Sequence, residues 1–192
     1  MRVVAYEVLS NGRLPFGDAD GMLRVDLSSL EYGALLAKTS GIRVHCNLEY
    51  HTLITATAAV ERLVCKGIII ELVERHDILR HPRMFERAAE STERLRAAGA
   101  LIALDDVTLC SRERSLMSAV RPDIVKVDNR DSLFSLCKEV HGLQIVAERI
   151  EHEHQAELAR LLGASMLQGF WCDRELRGCE HEAPTAIANE ET

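Results

Sequence analysis

Aromatic residues are scarce in this 192-residue chain, at 4 %, so its core has to be aliphatic. Paired cysteines are missing altogether. The six cysteines, Cys46, Cys65, Cys110, Cys137, Cys172 and Cys179, form no C-x-x-C, and with no signal peptide ahead of them they read as reduced thiols of a cytoplasmic protein. Neither they nor the histidines show the paired spacings of a structural zinc site. No apolar run approaches the roughly 20 residues of a membrane span. Basic charge is in deficit: the net charge of −7 argues against a broad footprint on duplex nucleic acid or an anionic membrane, but leaves room for a small phosphate ligand held through metals.

What the chain does have is 47 % hydrophobic and 28 % charged residues, the balance of one soluble domain able to bury roughly 70 % of its extended surface. Short apolar runs alternate with longer amphipathic ones. Strands are expected at Val3–Leu9, Ile42–Leu48, Gly67–Val73, Ala100–Asp106, Asp123–Asp128, Leu143–Glu148 and Ser165–Phe170. Helices are expected over Asp20–Thr39, Thr52–Cys65, Arg83–Ala98, Arg112–Val120, Asn129–Val140 and Glu153–Leu162, with Gly41, Gly99 and Gly163 at helix stops. Such alternation calls for parallel strands, in an open doubly wound sheet or in a barrel. Residues 1–176 make up this domain, and 177–192, small, polar and acidic, read as a frayed tail.

The strand ends favour the barrel, whose strands converge their C-terminal ends on one mouth. In chain order they carry Glu7, Asn47, Glu71, Asp105 with Asp106, Lys126 with Asp128, Glu148, and Gln168. Lys126 and Asp128 are two apart and share a face, which sends the lysine into the barrel, where only carboxylates or a phosphate make its charge tolerable. Adjacent Asp105 and Asp106 repel each other unless a cation lies nearby. Oxygen donors without cysteine suit hard ions, Mg²⁺ or Mn²⁺, in a site with room for two.

These residues also resemble a known family. "YEVLS", "NLEYHTL", "IIIELVER", "IALDDV", "DIVKVD", "IVAERIEHEHQ" and "LQGF" are similar, in number and order, to the motifs of the EAL domain, whose active members are cyclic di-GMP phosphodiesterases. The resemblance runs from Val3 to about Leu176 and implies an α/β fold, a TIM-like (β/α) barrel of the EAL type. It implies that Glu7, Asn47, Glu71 and Asp105 ligate a first metal and Asp106 a second. Lys126 would lie by the metal-activated water, in a catalytic group with Glu148 and Glu7. Glu148 and Gln168 would complete the site or orient the water, Glu74 and Glu151 would steady it as outer glutamates, and cyclic di-GMP would be opened to the linear dinucleotide. For Glu74 and Glu151 an ordinary salt bridge or helix cap is the competing reading.

Three departures accompany the resemblance. "DDVTLCSRERS" has no glycine where active members carry a Gly-containing loop, so easy access to positive φ is lost and the loop is not expected to fold in the family's way. Asn11 stands where those members place an arginine on the ligand phosphate, and a neutral amide cannot replace that fork. Seven strands fall one short of the eight that close a barrel: the first strand is lacking, and either an N-terminal segment is absent or another element fills the gap. Two functions therefore compete: a weak metal-dependent phosphodiesterase, and an inactive module that binds cyclic di-GMP or a protein partner; a homodimer is compatible with both. The eight histidines, His45 among them, are expected in surface or packing roles. Trp171 is expected to cap the barrel rather than stack on a base, and Arg112–Ser115 to be a solvated helix start.

Overall fold

Strands this short, separated by helices, can pair in parallel only through crossovers of a dozen residues or more, and that is how they pair. In the computed structural model, residues 2–9, 14, 15, 17–73, 81, 83–128 and 142–180 are described. β1 (Ala5–Val8), β2 (Arg43–Glu49), β3 (Ile68–Val73), β4 (Leu101–Leu104), β5 (Ile124–Asp128), β6 (Gln144–Glu148) and β7 (Met166–Leu167) hydrogen-bond in chain order, each parallel to the next. This is the sheet of a TIM-like (β/α) barrel with seven strands. Among the described residues β1 and β7 are its two edges.

Among the described residues the helices are α1 (Ala19–Ser40), α2 (Tyr50–Thr55), α3 (Thr57–Leu63), α4 (Met84–Ala97), α5 (Ser111–Val120), α6 (Glu153–Leu161) and α7 (Phe170–Glu180). The expected helix over 52–65 is two. Its break at Ala56 coincides with the Thr57 hydroxyl donating to the Leu53 carbonyl at 2.6 Å, a side-chain substitute for a backbone bond. The last expected strand is cut to Met166–Leu167, because Gly169 at φ 147 turns the chain and Phe170 already opens α7. Only glycine serves there: a Cβ at 169 would lie 2.3 Å from the Ile150 nitrogen and 2.4 Å from its carbonyl oxygen. α7 runs on through Glu180, into the segment read as tail. The helix expected over 129–140, and residues 181–192, lie outside the described residues.

Alternation along the strands divides the core in two. Val44, Cys46, Leu48, Ile68, Ile70, Leu72, Ile102, Leu104, Val125 and Val127 belong to one large buried cluster shared with helical residues such as Leu30, Val60 and Leu95. Ile69, Ala103, Ile124 and Val146 form a second cluster with Leu101 and Met166 against it, plugging the barrel below the mouth. The next inward position on each strand therefore opens upward from an apolar floor. No helix among the described residues is long and apolar enough to cross a membrane.

Candidate functional site

One residue above Val125 and two above the floor residue Ile124, Lys126 turns inward as parity requires, and it is 1 % exposed. Its ammonium lies 2.6 Å from Glu71 Oε1, 3.0 Å from Glu148 Oε1, 3.6 Å from Glu7 Oε2 and 3.7 Å from Asp105 Oδ1. Four strand-end carboxylates from four strands thus surround one cation. An ammonium has three hydrogens to give, so the acids outnumber what it can satisfy. Two unit charges 4 Å apart still interact by about 4 kcal/mol at an effective dielectric of 20, and ionised acids gathered at this mouth repel one another on that scale.

The proton affinities follow from this crowding. Burial pushes the Glu148 carboxyl up to about 7, the Lys126 charge only partly opposing it. Burial likewise raises Asp105, again against the pull of Lys126, with Glu71 and Asp106 adding to the rise. Glu71 goes the other way: burial alone would raise it, but the His45 hydrogen bond and the Lys126 charge outweigh burial and hold it below the usual range. Lys126 is held above its ordinary value: burial works against its charge, and the four acids more than make up for that.

The remaining expected residues divide clearly. Gln168, delivered by the Gly169 turn, donates from Nε2 to Glu7 Oε2 at 2.6 Å and so ties the end of β7 to β1 across the gap between the two edges. Asp105, Asp106 and Glu148 each present an oxygen within 4.8 Å of the others, a spacing that fits a shared cation. Asn47, in register with Glu71, has a buried Oδ1 without a hydrogen-bond partner, an acceptor that lacks a donor or a cation. Glu151 is exposed and lines the same cavity as Glu7 and Glu148, its amide donating to Gln155 Oε1 at 2.7 Å at the start of α6. Asn11 and Glu74 lie outside the described residues. A cavity of about 820 Å³ follows the gap between the edge strands, with Tyr6, Glu7, His45, Glu148, Gln168 and Phe170 in its wall. That volume falls within the range of small-molecule sites.

The loop after the Asp pair corrects one expectation. It reaches positive φ without glycine, at Asp106 (φ 46) and Leu109 (φ 62). Aspartate tolerates that region, and Leu109 is held there by its surroundings at a cost of about 1–2 kcal/mol. Val107 and Leu109 are buried, the Val107 amide donates to the Lys126 carbonyl at 3.0 Å, and Glu113 Oε2 accepts from Thr108 N, Thr108 Oγ1 and Cys110 N at 3.0, 2.8 and 3.2 Å. Glu113 is therefore a buried staple at 4 % exposure, and Arg112–Ser115 is not simply a solvated helix start. The signal was a capping box, Cys110-x-x-Glu113.

His45, expected only in a surface or packing role, lies beside the acid cluster. It is buried, and its Nδ1 lies 3.0 Å from Glu71 Oε2. The available signal was parity: it precedes Asn47 by two and so shares its inward face. Trp171 is buried with Arg160 5.7 Å over its ring, a packing position against α6.

With this geometry in hand, a family model described as the EAL domain matches residues 36–175, most of the chain. The chain belongs to the EAL domain family. Solved structures with the same fold include Klebsiella pneumoniae BlrP1 in a calcium and cyclic di-GMP complex (24 % identity, TM-score 0.64, 82 % of this chain and 45 % of that one). An EAL domain protein from Listeria monocytogenes EGD-e aligns at 16 % identity and TM-score 0.62, over 85 % of this chain and 74 % of that one. Bacillus subtilis YkuI, which has an EAL domain and is in complex with substrate cyclic di-GMP and calcium, aligns at 18 % identity and TM-score 0.63, over 82 % and 45 %. The chain thus spans about half the length of BlrP1 and YkuI. No curated protein matches it.

Proposed function

We propose that this EAL domain is a metal-dependent phosphodiesterase that opens cyclic di-GMP to the linear dinucleotide, with slow turnover. The observation that carries the reading is the ring of Glu7, Glu71, Asp105 and Glu148 around buried Lys126, more negative charge than one ammonium can balance. Hard oxygen donors, the partnerless Asn47 Oδ1 and the close trio Asp105, Asp106 and Glu148 fit divalent ions of the Mg²⁺ or Mn²⁺ kind. Glu7, Asn47, Glu71 and Asp105 would hold one, and Asp106 with Asp105 and Glu148 a second. When bound, such ions supply charge stabilisation at phosphorus and acidify the attacking water.

The chain's own residues do the rest. Lys126, ringed by four acids, would hold its ammonium at the base of the mouth, where it keeps Glu71 ionised and partly offsets the charge of Glu7, Asp105 and Glu148. Gln168 fixes Glu7 across the gap, and Glu148, from the neighbouring strand β6, would orient the attacking water. Complexes of BlrP1 and YkuI with cyclic di-GMP and calcium support the ligand class. The stapled, glycine-free loop behind Asp106 and the neutral Asn11 support slow turnover and weak ligand binding.

The test is a single-turnover assay with protein in excess over cyclic di-GMP, in Mg²⁺ and separately in Mn²⁺, following the linear product by chromatography. Product that vanishes in Glu7→Ala is the expected result. No product over hours, with cyclic di-GMP still bound, would make this a binding module instead.

A further inference from the structure

We propose that His45 is a positioning residue for Glu71, holding that carboxylate in the one orientation that lets it share a cation with Asn47. The inference rests on the metal reading above. Glu71 is 1 % exposed, and each of its oxygens is already held from one side: Oε1 by Lys126 from β5 at 2.6 Å, Oε2 by His45 from β2 at 3.0 Å. A glutamate beside a lysine ammonium is an acceptor only, so the ring nitrogen facing it, Nδ1, carries the proton. The two bonds pin both oxygens and leave each a further lone pair. A glutamate has three side-chain torsions; with only Lys126 to hold it, the carboxylate could pivot about Oε1, and Oε2 would lose its fixed place on the face that Asn47 shares.

The register makes Asn47 the beneficiary. Asn47 pairs with Glu71 across β2 and β3, and its Oδ1 is buried and lacks a partner. A cation shared by Asn47 Oδ1 and a pinned Glu71 would satisfy the orphaned acceptor and the excess negative charge together. Outer residues that fix ligand orientation in this manner are worth about 10- to 100-fold in metal affinity. His45 reaches Glu71 through Nδ1, the nearer ring nitrogen, which is as many bonds from the backbone as the amide nitrogen of an asparagine. Asparagine at 45 can therefore replace the bond, and leucine, similar in bulk, cannot.

The experiment is Mn²⁺ titration of the full chain, followed by the electron paramagnetic resonance of the free ion, in wild type, His45→Leu and His45→Asn. The expected result is a 10- to 100-fold loss of affinity in His45→Leu and recovery to within about threefold of wild type in His45→Asn. Equal affinity in wild type and His45→Leu, or equal loss in both variants, would overturn the positioning role while leaving the metal site standing. Wild-type protein that binds no Mn²⁺ would overturn both. If circular dichroism shows that His45→Leu does not fold, His45→Gln, polar but with its amide one bond too far out, takes its place in the comparison.

Discussion

Gln168 and Glu7, 161 residues apart, are joined by a 2.6 Å hydrogen bond from the end of β7 to β1, the two edges of the sheet. Among the described residues no strand pairing spans that gap, so a side-chain bond at the mouth does there what a ladder does between other neighbours. The consequence is that Glu7 is steadied at one oxygen, Oε2, by both Gln168 and Lys126, although it stands on an edge strand of four residues.

That bond depends on Gly169. Gly169→Ala would put a methyl 2.3 Å from the Ile150 nitrogen at a φ of 147, where backbone would have to move. The expected outcome is a loss of about 2 kcal/mol or more in urea unfolding together with a weaker Mn²⁺-induced melting shift. A variant as stable as wild type would show that the turn has another conformation open to it.

Lys126→Met tests the ring. Removing one partner from buried ion pairs typically costs about 3–5 kcal/mol, because the carboxylates are left uncompensated. Divalent ions should then return part of that loss, giving the variant a larger Mn²⁺-dependent rise in melting temperature than wild type. Equal rises in the two proteins would mean that cation and lysine do not serve the same acids.

The pH dependence of the metal-free protein follows from Glu148. Its carboxyl is raised by burial from 4.5 to about 7, so between those values the folded state holds a proton that the unfolded state has released. Stability contributed by this group is therefore full below about 4.5 and falls as the pH rises through about 7. Glu148→Gln removes the dependence, so at pH 8 without metal its melting temperature should exceed that of wild type, the difference shrinking towards pH 5. A gap that widens on acidification would reverse the sign and remove the argument.

Arg121 ends α5 at φ 46, in the left-handed region where a side chain costs about 1 kcal/mol. Its side chain is exposed, and its ion pair with Glu93 is of the kind that contributes little. Arg121→Gly should stabilise the protein by roughly 0.5–1 kcal/mol in denaturant unfolding, with the Arg96 bond to the backbone carbonyl of residue 121 kept. A destabilised variant would assign Arg121 an interaction that outweighs its backbone strain.

The strand order, the inward face of the strands and the acids on it were legible in the sequence, because alternation is a local property of the chain. Parity alone sent Lys126 inward, and the charge rule then required acids around it. The partnerships across distance came from the packing. His45 with Glu71, Glu71 with Lys126 and Gln168 with Glu7 are separated by 26, 55 and 161 residues. Glu113 stapling its loop, and the positive φ that Leu109 accepts within it, depended on burial against the barrel. Periodicity says which way a side chain points, but which carboxylate it meets depends on how neighbouring strands stagger and curve, and that is set by the packing of the whole sheet.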